Sequence, residues 1–185
     1  RPKTPKTLPN YLSTQDVSRL LKATNNVKHQ AILMTIYAAG LRLSELINLK
    51  LSDIRSEENY IRIQCGKGKK DRTTLLSPKL LGILRSYFVV YKPTFYLFEG
   101  QYGGKYSARS VQSIMKNAVQ KSGVYHATPH TLRHSFATHL LKQGTDITYV
   151  KDLLGHNSLK TTEIYLHLSK KNIKNINSPL DSLDI

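Results

Sequence analysis

The sequence predicts a mainly α-helical domain with one small antiparallel β-sheet of about three strands. Apolar residues recur at helical spacing in most segments, each between recognisable start and stop residues, whereas in the tract 53–76 alone the period changes to two. With 185 residues, 39% of them hydrophobic, the chain is large enough for one real core.

Taken in order, "RPKTPKTLP" has three prolines among basic residues and reads as an extended interdomain linker over 1–10. This opening, which lacks a Met, is expected of a piece of a longer protein, with the globular domain over 11–169 and a tail over 170–185. Ser13, followed by Asp16 and apolar residues at helical spacing, predicts a first helix over about 14–23. "KHQAILMTIYAAG" is apolar nearly all round and stops at Gly40, as a buried central helix does. Leu43, Leu46, Ile47 and Leu49 suggest another short helix, which places Arg42 at a junction between two buried helices. "NYIRIQC", "GKGKKDR" and "TTLL" together form a hairpin pattern around a basic, glycine-containing loop that holds Lys67, Lys69, Lys70 and Arg72. Two further helices start at Ser77 with Pro78 and at Ser107, the second stopping at Gly123. No internal repeat appears.

Charge narrows the partner. Lys and Arg number 28 against 12 Asp and Glu, a net +16, so nucleic acid is the leading expectation over a merely solvated basic surface. The lone cysteine, Cys65, excludes an internal disulfide and offers no thiolate cluster. No run approaches the ~18 apolar residues of a membrane span and no signal-peptide pattern opens the chain, so a cytoplasmic protein without membrane partners is expected.

"ATPHTLRHSFATHLLKQG" supplies Thr128 as N-cap, Pro129 at the first helical position and Gly144 as terminator. At about 100° per residue, Leu132, Phe136, Ala137, Leu140 and Leu141 define a buried arc. Arg133 falls inside it and His130 at its edge; Ser135, Thr138 and Lys142 fall on the other side. An inward guanidinium cannot lose its proton and must meet an anion, which is either an internal carboxylate or a phosphate. His130 and His134 share a face, as two zinc ligands do, but Thr131 stands where a HExxH helix has its general-base Glu. No metal is expected. Downstream, "DITYVKDLLGHNSLKTTEIYLHLS" puts His156 in a helix-to-helix corner and Tyr165 about two turns into the following helix; each alone is more often structural.

Four pieces in order then resemble the catalytic domain of the tyrosine recombinase (phage-type integrase) family: "AAGLRLSEL" around Arg42, "GKGKKDR" with Lys67, "HTLRH" with His130 and Arg133, and "LLGHNSLKTTEIYLHL" with His156 and Tyr165 nine residues later. The resemblance covers about residues 10 to 170, and no signature position is replaced. It implies that Arg42 and Arg133 hold the scissile phosphate, His130 and His156 assist, Lys67 protonates the leaving group and Tyr165 is the nucleophile. It further implies a supporting role for Glu45 and DNA contacts from Lys69, Lys70 and Arg72. His134 is expected to be structural. Also implied are a DNA recombination site as partner, an N-terminal DNA-clamping domain preceding this chain, tetramers on DNA with the tail docking on a neighbour, a nucleoid location, and no cofactor.

These residue types suit the chemistry. Two arginines can grip the non-bridging oxygens of a phosphorus gaining negative charge, and a tyrosine of ordinary pKa about 10 needs a base or a cationic pocket to attack at neutral pH. The sequence has neither a "GxxxxGK[ST]" phosphate loop nor the acidic cluster of two-metal nucleases. Three rivals are a type IB topoisomerase, which rejoins the same strand, a non-catalytic helix-turn-helix module, and the zinc hydrolase already weighed.

Overall fold

A computed structural model describes residues 10–64 and 71–163. Helices α1 (Thr14–Lys22), α2 (Val27–Ala39) and α3 (Leu43–Asn48) come first. A 3-10 turn at Leu51–Asp53 leads into β1 (Ile54–Arg55), β2 (Tyr60–Ile63) and β3 (Arg72–Leu75). Then follow α4 (Pro78–Tyr91), α5 (Ala108–Ser122), α6 (Pro129–Lys142), α7 (Ile147–Leu154) and α8 (Leu159–Thr162). The expected fold class holds: the strands form one antiparallel sheet ordered β1-β2-β3, with Ile61 opposite Thr74 and Ile63 opposite Arg72. Among the described residues no helix is long and apolar enough to cross a membrane.

The caps explain the boundaries. Ser13, Ser77, Ser107 and Thr128 each accept a hydrogen bond from the backbone N–H three residues on, satisfying donors that a helix start leaves orphaned. Helix α2 is buried on several sides, with Ala31, Ile32, Leu33, Thr35, Ile36 and Ala39 all enclosed, because it runs through the middle of the molecule between α4 and α6. It ends at Gly40 in the left-handed region (φ 63). A Cβ there would also collide with the Phe136 ring, so only glycine lets α6 approach this closely.

Two apolar clusters result. The larger gathers α1 to α5, the sheet and Leu132; the smaller comprises Phe136, Ala137, Leu141, Val150 and Leu154, and joins α6 to α7. Helix α6 corrects the expected arc. Ser135 and Thr138, placed on the outer side by the sequence, are fully buried, as is His139 nearly so, whereas Leu140 is only half-buried. Ser135 is tolerated inside because its hydroxyl is satisfied: it donates to the Thr131 carbonyl at 2.8 Å and accepts from the Leu12 N–H at 2.9 Å. His139 Nε2 donates to the Leu12 carbonyl at 2.9 Å and Nδ1 accepts from the Tyr37 hydroxyl at 2.8 Å.

Candidate active site

Arg42 is the N-cap of α3, two residues after the left-handed Gly40, and its backbone N–H donates to Glu45 Oε2 at 2.7 Å. Its Nη1 donates to Glu45 Oε1 at 3.0 Å, yet 43% of the side chain stays exposed, so its charge faces the open. Glu45, 9% exposed, holds more than one cation: Oε2 also accepts from Arg72 Nη2 at 2.8 Å and lies 3.7 Å from Arg133 Nη1. One enclosed carboxylate therefore lies within 3.7 Å of three guanidiniums, and its charge offsets the burial of Arg72 and Arg133.

Arg133 is 2% exposed and does point inward, as the α6 pattern requires. What meets it is mixed: Nη1 donates to the Gly40 carbonyl, Nη2 to the Leu154 carbonyl at 2.8 Å, and Glu45 stands just beyond hydrogen-bond distance. The guanidinium thus links the end of α2 to the end of α7. His156 lies beside it, with Nε2 3.4 Å from Arg133 Nη2. Gly155 closes α7 in the left-handed region (φ 66), which swings His156 into the corner before Ser158 caps α8. Arginine can only donate, so Nε2 presents its lone pair and Nδ1 carries the proton to Thr162 Oγ1 at 2.9 Å. Burial, reinforced by Arg133, Arg42, Arg72 and His134, pushes the His156 pKa down to about 4 and keeps the ring neutral.

His130, on the first turn of α6, is exposed, and its pKa is lowered by partial burial and then by Arg133 and Arg42. The His134 ring stands edge-on to it with centroids 4.2 Å apart; burial, then His130 and Arg133, push His134 down to about 4. Two neutral imidazoles therefore stand side by side next to a fixed cation. An open cleft of about 1260 Å³ runs past Arg42, Arg72, His156, Ser158 and Thr161.

Arg72 departs from expectation. The sequence reads it as a loop cation meeting DNA, but its side chain is 7% exposed, paired with Glu45 and bonded to the Leu153 carbonyl. The reason is strand alternation: Arg72 shares the inward face of β3 with the buried Thr74. Thr162 was not anticipated at all, and only its six-residue spacing from His156 could have hinted at it. Lys67, Lys69, Lys70 and Tyr165 lie outside the described residues. Among the described residues no group of three or more His, Cys, Asp or Glu is placed to hold a metal ion.

The family model for the phage integrase family matches residues 10–172. The chain belongs to the phage integrase family. A protein named as an integrase/recombinase in Sinorhizobium fredii is 43% identical over 184 residues, covering 98% of this chain and 73% of its own length. The tyrosine recombinase XerA of Pyrococcus horikoshii is 39% identical over 177 residues, covering 94% of this chain and 62% of its own length. This chain thus spans roughly two thirds of such relatives. The crystal structure of a XerA recombinase superposes with a TM-score of 0.82 at 34% identity, over 91% of this chain and 62% of that one. A XerH site-specific recombinase bound to a palindromic difH substrate, in a post-cleavage complex, gives 0.80 at 26% identity, over 91% and 52%. The fold is that of tyrosine recombinase catalytic domains, and the XerA relatives that match most of this chain are named tyrosine recombinases.

Proposed function

We propose that this domain cleaves and rejoins DNA strands at a recombination site through a covalent 3′-phosphotyrosyl intermediate on Tyr165. The observation that carries the reading is the cluster in which Glu45 organises Arg42 and Arg133 while a neutral His156 stands 3.4 Å from Arg133. Arg42 and Arg133 grip the non-bridging oxygens and stabilise the charge that builds at phosphorus. His156, neutral and with a lone pair on Nε2, takes the Tyr165 proton, and His130 hydrogen-bonds the phosphoryl oxygens. The Tyr165 oxygen forms the new bond to phosphorus, the bond from phosphorus to the 5′ oxygen breaks, and Lys67 gives that oxygen a proton. Attack by a second 5′ hydroxyl reverses each step and returns the proton to Tyr165, so exchange is energetically neutral in bonds and calls for neither ATP nor a metal.

Several further readings rest on the same resemblance. The net +16 charge suits a duplex DNA partner, and the XerH relative bound to difH DNA supports it. Lys69 and Lys70 meet the DNA backbone beside Lys67. Residues 1–10 follow a DNA-clamping domain, residues 11–169 are the catalytic domain, and 170–185 dock on a neighbouring protomer in a tetramer assembled on DNA in the bacterial nucleoid.

A nicked duplex carrying the cognate site, which releases the strand beyond the nick once cleaved, traps the intermediate. The full-length protein should form a covalent adduct on it, and Tyr165→Phe should bind the duplex yet form none. An undiminished adduct from Tyr165→Phe would remove the nucleophile assignment, and none from wild type would remove the recombinase reading.

A further inference from the structure

Glu45 Oε2 has more donors around it than lone pairs to satisfy them. The Arg42 N–H at 2.7 Å and Arg72 Nη2 at 2.8 Å occupy it, and Arg133 Nη1 is left at 3.7 Å. Arg72 reaches this place from the start of β3, anchored on the far side by the Leu153 carbonyl. Its stem lies over Gly155, where any Cβ would strike its Cδ and Nε, so a glycine is what admits it. The guanidinium thus joins the hairpin, the α3 carboxylate and the α7–α8 corner, while being too enclosed, at 7%, to present its charge on the DNA-facing surface.

We propose that Arg72 is a positioning residue that competes with Arg133 for Glu45 and so sets how much of the Arg133 charge is offered to the scissile phosphate. This rests on the recombinase reading above. A carboxylate oxygen that loses one charged donor closes on the next nearest, and a charge-assisted arginine–carboxylate pair tightens to hydrogen-bond distance when nothing holds it apart. Without Arg72, Oε2 closes on Arg133 Nη1, neutralises part of its field and draws it from the Gly40 and Leu154 carbonyls. The phosphate then meets a weaker electrophilic clamp although both arginines are still present.

A double-mutant cycle in the full chain tests this with Arg72→Ala, Glu45→Gln and the pair, reading the single-turnover rate of adduct formation on the nicked duplex, the affinity for that duplex and the thermal midpoint. Arg72→Ala should slow adduct formation on the order of 10²-fold, the scale of one lost oxyanion contact, while leaving affinity little changed. In the Glu45→Gln background the same change should cost far less, since the competition is gone. Additive losses overturn the proposal, and so does a fall in affinity with an unchanged rate in the bound complex, which would make Arg72 a plain DNA contact. Arg72→Lys, which keeps a single donor to Glu45, should fall between wild type and Arg72→Ala, and serves where Arg72→Ala does not fold. The Arg133 side-chain Nε resonance in ¹⁵N-labelled protein gives a readout independent of activity. It should move in Arg72→Ala and return in the double variant. An unmoved resonance overturns the competition even where the wild type forms no adduct, an outcome that would separately remove the recombinase reading.

Discussion

Arg42 and His156 face the same cleft from opposite foundations. Arg42 caps α3 above the larger core, where Ile32, Ile36, Ala39, Leu41 and Leu46 are essentially inaccessible, and its backbone N–H is tied to Glu45 within the same turn. His156 follows α7, an eight-residue helix held to α6 by five buried apolar residues. The first position is set by the fold as a whole, the second by a satellite cluster that can open at lower cost than global unfolding. Arg133 bridges them through the carbonyls of Gly40 and Leu154, so the half-site able to loosen is fastened to the rigid one by the residue proposed to grip the phosphate.

Cutting into each core should separate the halves. Ile36→Ala and Leu154→Ala each remove a fully buried side chain, with a cost of about 2–5 kcal/mol. Ile36→Ala should lower the thermal midpoint of the whole domain, whereas Leu154→Ala should speed amide exchange in α7 well before α2 and slow adduct formation in protein that is still folded. Equal acceleration of exchange in both helices by both variants would mean that the two clusters are one cooperative unit.

A smaller perturbation sharpens the His156 side. Thr162→Val keeps the shape but takes away the acceptor of the Nδ1 proton, leaving a half-buried donor unmet at a cost of about 1 kcal/mol. Adduct formation should slow, and Thr162→Ser should restore it. Equal losses from both variants would assign Thr162 to packing alone.

Acid should act on the same half. His134 and His156, both pushed down to about 4, bind protons more readily in the unfolded chain, whose histidines titrate near 6.5. Stability is therefore intact above about 6.5 and declines as pH falls towards about 4. Faster exchange in α7 than in α2 across that window is the expected result, read by hydrogen exchange; a flat profile would mean that the two rings are not held neutral by burial.

Much of this was legible in the residues themselves. Gly40 and Gly155 mark the two corners from which Arg42 and His156 project, and both adopt the left-handed conformation that a glycine stop implies. The inward aim of Arg133 followed from its neighbours on α6, although whether a carboxylate or a phosphate would meet it did not, and the answer includes two main-chain carbonyls that no side-chain pattern encodes. The buried face of α6 is wider than its apolar arc. Apolar residues alone do not mark it, because Ser135 and Thr138 are short enough to be buried with them. Arg72 was misplaced because its charge was weighed and its strand position was not: alternation with Thr74 turns it towards Glu45. Lys67 and Tyr165 came from resemblance alone, since a loop lysine and a helical tyrosine carry no local signature of their chemistry.

The most direct test is to digest the adduct formed on the nicked duplex and sequence the DNA-bearing peptide by mass spectrometry. The expected result is a peptide carrying a nucleotide remnant on Tyr165 through its 3′ phosphate, with a free 5′ hydroxyl on the released strand. A remnant on any other side chain, or a linkage through a 5′ phosphate, would contradict the account.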